Sequence, residues 1–385
     1  MTTTDGDILD ARALNRALLD RQMLLRRTDL SVPTVLEHLL GLQAQAPMPP
    51  YLGLWSRCAG FDPHELGAML LDRRAVRMTL MRATVHLVTV ADALLLRPLL
   101  QQVIERVHQG AFGRRMGAAD PAELAGATRE LLADGPLTAR ELGRRLVARG
   151  IGDDVEAIGN AARVYAPLVQ VPPRGVWGAG GQAKYAVLES WTGRPMHDAP
   201  SIDDVVVRYL RAFGPASVKD FQQWSGLTRV APVLDRLRPR LMTLRDERGR
   251  ELFDLPDAPR PGADVPAPVR LLGEYDNLLL GHADRRRIIP DDFPWDAMLA
   301  HGRFVNNVLV DGVLRATWWI ERQGRRHATL AIRPFGALTA GERDEVAGEA
   351  QRTVDFAAPG AQVRDVRVAP AVPAGPFPLS RSSTT

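Results

Sequence analysis

The stretch Phe213-Gly214-Pro215-Ala216-Ser217-Val218-Lys219-Asp220-Phe221-Gln222-Gln223-Trp224-Ser225-Gly226 decides how the fold is read. A helical pattern over 202–211 breaks at Phe213-Gly214-Pro215-Ala216. Ser217 is then placed to cap a helix over 218–224, and Gly226 precedes another over 230–238. Strand patterns at 241–245 and 251–255 pair across Asp246-Glu247-Arg248-Gly249-Arg250. Helix, turn, helix, helix and β-ribbon is the winged-helix arrangement.

Two earlier segments repeat this plan. Over 8–110, helical patterns at 11–19, 32–40, 51–58 and 63–71 precede strand-like 76–80 and 84–89, joined by a tight turn at Met81-Arg82-Ala83. A helix is expected at 91–100, continuing through 103–109. Over 121–192, a helix at 122–132 leads to a turn at Gly135-Pro136. Thr138 then serves as an N-cap, with Glu141 at the capping-box position. Strands at 168–171 and 184–188 flank a glycine-rich loop through Arg174 and Gly178, read as a wing tip. It lacks the Lys-Ser/Thr ending of a nucleotide-binding loop.

The third unit spans 201–256, and proline-dense 256–268 reads as a linker. Region 257–369 turns to strands at 303–310, 313–320 and 327–333. Asp311-Gly312 supplies a two-residue hairpin turn, and 340–356 forms a closing amphipathic helix. Residues 370–385 are expected to be a disordered tail. The expected fold class is α+β: three tandem winged-helix motifs with a C-terminal β-rich region.

Composition bounds the function. The chain has 385 residues, a 45% apolar and 24% charged make-up, and room for two or three domains. No run approaches the roughly 18 apolar residues of a membrane helix, and the start lacks the basic-then-apolar pattern of a signal peptide. A cytoplasmic location is expected. The single cysteine, Cys58, excludes an intrachain disulfide and a multi-cysteine metal site. Net charge is +4 and the pI about 9.6, a modest hint of an anionic partner. The cations are nearly all arginine, which suits bidentate phosphate contacts and also suits the codon usage of a GC-rich genome.

One stretch looks like chemistry rather than scaffold: Gly41-Leu42-Gln43-Ala44-Gln45-Ala46-Pro47, followed by Met48-Pro49-Pro50-Tyr51-Leu52-Gly53-Leu54-Trp55. If extended, it places Gln43 and Gln45 on one face. Neutral amides donate and accept, so a pair of them can hold a water. The bland alternative is that both bond to backbone at a helix end and steady the Pro47–Pro50 turn.

Together with Leu80-Met81-Arg82-Ala83-Thr84-Val85-His86-Leu87-Val88 and Leu272-Gly273-Glu274-Tyr275-Asp276-Asn277-Leu278-Leu279-Leu280-Gly281-His282-Ala283-Asp284-Arg285, this stretch resembles the AlkZ/YcaQ-like winged-helix DNA glycosylases, over about 11–356. The resemblance implies a C-shaped body that grips DNA. It also implies the Gln-x-Gln branch, which excises bulky or cross-linked N7-alkylpurines, with Gln43 and Gln45 as catalytic residues. A monofunctional glycosylase of double-stranded DNA carrying alkylated purines is therefore expected, acting as a monomer without metal or cofactor. No lysine lies near the motif for a Schiff-base step. The alternatives are a non-catalytic winged-helix regulator and a protein-binding scaffold.

Further candidates for DNA contact are Arg82, at the first hairpin turn, and His86, which shares a strand face with Thr84 and Val88. Others are His282, Arg285 and Arg286 in a polar cluster with Asp284 and Arg287, where Asp284 can orient a neighbour. Arg322, Arg325 and Arg326 lie on a hairpin suited to probe a minor groove. The competing readings are a solvated turn, a core histidine and a solvated charged face. His282 and Asp284 lack a third and fourth metal ligand. Trp295, Trp318 and Trp319 are expected in the core or at interfaces.

Overall fold

The computed structural model describes residues 4–117, 119–289, 293 and 305–370. Trp295 and most of the C-terminal tail lie outside the described residues. The structure is mixed α+β, and its described strands form three sheets. In chain order they are β1 (Ile8–Leu9), β2 (Leu42–Gln43), β3 (Ala75–Thr79), β4 (Val85–Thr89), β5 (Leu137–Thr138), β6 (Leu168–Gln170) and β7 (Lys184–Val187). There follow β8 (Met242–Asp246), β9 (Glu251–Asp254), β10 (Arg270–Leu272), β11 (Asn306–Val310), β12 (Val313–Gln323), β13 (His327–Pro334) and β14 (Val363–Val368).

The ribbons of the first two segments, read separately in the sequence, join in one antiparallel sheet of order β2-β4-β3-β6-β7-β5. The joint is β3 against β6, with Arg77 opposite Gln170 and Met78 opposite Val169. Each ribbon thereby covers an edge the other would leave unpaired. The third ribbon, β8–β9, stands in its own sheet and gains an unexpected parallel partner in β1.

The caps follow the sequence. Ser217 and Asp220 form a capping box on helix Val218–Ser225, which ends at left-handed Gly226, and Thr138 and Glu141 do the same for Ala139–Ala148. Helix Pro63–Leu71 has the expected bounds. The expected continuous helix after β4 is instead two, Val90–Leu99 and Gln101–Phe112. Leu100 leaves helical geometry just after Pro98, which has no N–H to donate. Helix Val155–Tyr165 has no counterpart in the sequence reading. Its Gly159 lies against helix Ala139–Ala148, where a Cβ would come 2.2 Å from the Ala139 carbonyl oxygen.

The C-terminal sheet has order β10-β11-β12-β13-β14 and is parallel only between β13 and β14. A parallel pair needs a crossover, supplied by helix Ala340–Ala357. Its Val346, Ala350 and Val354 pack with Trp318, Leu330 and Ile332 of the sheet and with Leu52 of helix Pro49–Arg57. Asp311 and Gly312 both adopt positive φ in the β11–β12 turn, as a two-residue hairpin requires.

The proline-rich 256–268 stretch is a fastened strap rather than a free linker. Arg12 donates to the Ala263 carbonyl, Arg16 to Val265 and Arg21 to Pro259, all from helix Ala11–Arg21.

Candidate active site

Residues 41–45 are held at several backbone and side-chain polar atoms. Gly41 sits at φ +90, and a Cβ there would lie 2.7 Å from the Leu87 carbonyl oxygen. The chain can approach β4 this closely only with glycine. The Gly41 carbonyl accepts from Asn277 Nδ2 at 2.7 Å. Strand β2 pairs with β4, Gln43 opposite His86, and the Ala44 amide donates to the Val85 carbonyl at 2.7 Å. The Ala44 carbonyl accepts from Arg77 Nη2 at 2.7 Å.

The two glutamines have different surroundings. Gln43 is 6% exposed, and its Oε1 accepts from Arg82 Nη2 at 2.7 Å. Gln45 lies beyond the end of β2 and is exposed. Its Oε1 accepts from the Val85 amide at 3.2 Å. Pro49 and Pro50 then open helix Pro49–Arg57, where proline costs no hydrogen bond.

Arg82 is not the solvated turn residue that one reading allowed. It is partly buried at φ 54 and also donates to the Trp224 carbonyl at the end of helix Val218–Ser225. Burial, and then the nearby charge of Arg285, lower its pKa to about 10. Arg285 is partly buried, with Nε lacking a hydrogen-bond partner among the described residues. Burial lowers its pKa as well. Beneath the glutamines, Arg77 is 1% exposed and bonds only neutral acceptors, the Ala44 carbonyl and Gln170 Oε1. Burial, then Arg174, bring its pKa down to about 10. Two guanidinium groups thus bond the segment and a third, Arg285, lies near Arg82; among the described residues no carboxylate is a hydrogen-bond partner of Gln43, Gln45, Arg77 or Arg82.

The expectation of DNA contact at both histidines is corrected. His86 is 2% exposed, its Nδ1 bonded to the Thr84 carbonyl, and burial, then Arg82, push its pKa to about 3. His282 is 1% exposed and bonded through Nε2 to the Phe213 carbonyl. Burial, then Arg287, push it to about 3 against the pull of Asp220. Both are neutral interior groups that cannot reach a phosphate. An apolar strand flanking His86 and the run before His282 put them in the core.

Asp284 does orient a neighbour: Arg286 donates to it through Nε at 2.9 Å, and Arg250 pairs with it from the β8–β9 ribbon. Arg287 is buried and donates to the Pro215 carbonyl. Arg322, Arg325 and Arg326 are all exposed at the β12–β13 hairpin, and Arg322 also donates to the Ala357 carbonyl. Trp318 is a core residue with its indole N–H on the Leu272 carbonyl, and Trp319 is partly buried beneath Arg333. Among the described residues no group of three or more His, Cys, Asp or Glu is placed to hold a metal, and no helix is long and apolar enough to cross a membrane.

A family model described as DNA glycosylase AlkZ-like matches residues 36–356. The chain belongs to that family. As an AlkZ-like protein it is a monofunctional DNA glycosylase, a hydrolase of N-glycosyl bonds. The AlkZ-like chain is 27% identical over 343 residues to an interstrand DNA cross-link repair glycosylase of Streptomyces sahachiroi, covering 82% of this chain and 88% of that protein. In fold it is similar to the solved Streptomyces sahachiroi DNA glycosylase AlkZ, with a TM-score of 0.68 at 22% identity, covering 94% of this chain and all of the other.

Arg77 and the pair Arg57–Asp276 stand out only in the structure. The signal for Arg77 was an arginine inside the apolar strand Val76-Arg77-Met78; a charge there must find a buried partner. Asp276 and Asn277 lie in the third stretch quoted for the resemblance, and in the structure they brace the glutamine segment.

Proposed function

We propose that this AlkZ-like glycosylase releases N7-alkylated purines from duplex DNA, with Gln43 and Gln45 positioning the attacking water. An alkyl group on N7 gives the purine a positive charge, so it departs without strong acid catalysis. The C1′–N9 bond breaks, its electron pair neutralising the purine. The water oxygen bonds to C1′, and the surplus proton passes to solvent.

The observation that carries this reading is the pair of anchored carboxamides, to which no carboxylate of the described residues is bonded. Without a carboxylate base, proton abstraction is weak and rate must come from placement, worth about 7–11 kcal/mol at its ideal limit. Such a site favours a charged, labile lesion over a neutral base. Arg285 near Arg82, and Arg325 and Arg326 on the β12–β13 turn, supply cations for the duplex backbone. We take the three helix-and-ribbon segments to be winged-helix units acting in a monomer, and cross-linked purines, named for the Streptomyces relative, to be within reach.

The test is incubation with duplex DNA carrying 7-methylguanine, followed by alkaline cleavage at abasic sites. Strand cleavage that disappears in Gln43→Ala or Gln45→Ala supports the reading. Equal cleavage in both variants removes the assignment. Unhooking is scored separately, as conversion of an N7-linked interstrand cross-link to single strands on a denaturing gel.

A further inference from the structure

An amide side chain can be turned by half a rotation, exchanging its oxygen for its NH2 group, and each orientation offers a different chemistry to a ligand. At both glutamines one orientation is excluded. Gln43 faces Arg82 Nη2, and a guanidinium has donors only. Gln45 faces the Val85 backbone N–H, also a donor only. Turning either amide would set N–H against N–H. Both oxygens therefore point to the protein, and neither Nε2 has a hydrogen-bond partner among the described residues.

Arg82 is itself held in place from two sides. It stands at φ 54, next to Ala83 at φ 57, two successive left-handed residues whose backbone cost must be met by contacts. Its Nη1 donates to the Trp224 carbonyl, and Gly226 packs so near that a Cβ there would lie 3.3 Å from the Arg82 backbone nitrogen. One guanidinium so spans the third segment's capped helix and the Gln43 oxygen.

We propose that Arg82 is a positioning residue, locking the Gln43 carboxamide with its oxygen inward so that the paired glutamines meet water and substrate through two outward NH2 groups. Each oxygen keeps one free lone pair. A water can then accept from an outward Nε2 with one lone pair, retaining the other for C1′. This deepens the Gln-x-Gln reading and rests on it.

A double-mutant cycle tests the role in the full chain, using single-turnover release of 7-methylguanine from duplex DNA at saturating enzyme. Arg82→Met is expected to slow release about 100-fold, the scale of a misplaced reacting group. Affinity for undamaged duplex should stay within about threefold, well inside a single contact's worth. Combined with Gln43→Ala, Arg82→Met should add no further loss. Arg82→Lys, whose ammonium lacks the fork needed to span both acceptors, should fall between wild type and Arg82→Met. It also carries the same cycle should Arg82→Met melt below the assay temperature.

Losses that multiply in the double variant overturn the positioning role, as does an Arg82→Met loss that appears wholly in duplex affinity. Unchanged release in Gln43→Ala alone removes the glutamine reading itself, and the positioning role with it. The two failures are therefore distinguishable.

Discussion

Arg57 and Asp276 meet as a two-pronged ion pair, Nη1 to Oδ2 at 2.8 Å and Nη2 to Oδ1 at 2.7 Å, with neither side chain open to water. The same carboxylate caps the short helix Asn277–Leu280, whose Asn277 holds the Gly41 carbonyl. Asp276→Ala leaves a sealed guanidinium without its counter-charge and should cost about 3–5 kcal/mol of folding stability. Urea titration followed by circular dichroism reads this directly; a loss below about 1 kcal/mol would mean that the pair is dispensable.

Arg77 secures the backbone between the two glutamines. Arg77→Met keeps most of the side-chain volume but orphans the Ala44 carbonyl and Gln170 Oε1. Each unmet buried acceptor costs about 1–3 kcal/mol. A lower melting temperature together with slower base release is expected, and an active variant of unchanged melting temperature would contradict it.

Base release should depend little on pH across the neutral range. His86 is neutral, with its pKa about 3, and Arg82 stays charged up to about 10. No group recorded at the glutamines titrates between them. The single-turnover rate on a 7-methylguanine duplex should be flat from about pH 6 to 9; a limb centred near the ordinary histidine value of about 6.5 would implicate a general base.

Stability, by contrast, should fall on the acid side. The buried His86 and His282 have folded pKa values of about 3, below the unfolded value near 6.5. The unfolded chain therefore takes up protons first. The contribution is complete above about pH 6.5 and is lost progressively toward pH 3. Denaturant midpoints between pH 7.5 and 5 should decline, and His282→Gln should decline less steeply than wild type.

Arg285, Arg325 and Arg326 should each act as a backbone contact. Replacing any one with alanine should weaken binding to duplexes of unrelated sequence by a similar factor. It should also reduce the slope of log affinity against log salt by about one. Fluorescence anisotropy over a salt series checks this; an unchanged slope in all three variants would place the duplex elsewhere.

What the sequence revealed was local. Ser217 as a cap and Thr138 with Glu141 as a capping box announce helix starts because capping needs only residues a few positions apart. Asp311-Gly312 announces a hairpin because few residues tolerate positive φ. What escaped was long-range. Nothing near Arg77 says that its strand pairs with β6, nor does Ile8-Leu9 announce a parallel partner more than two hundred residues away. The glutamines drew notice through their spacing, but their orientation is fixed by Arg82 and Val85, residues about forty positions on.

The seam between β3 and β6 gives the two N-terminal segments a common fate. Separating the two segments would strip β3 of its neighbour β6 and deprive Arg77 of Gln170, exposing a raw ladder of amides beside the glutamine segment. Proteolytic nicking in the 113–120 connection should therefore leave the halves clasped and working, whereas expressing either half by itself should yield aggregates.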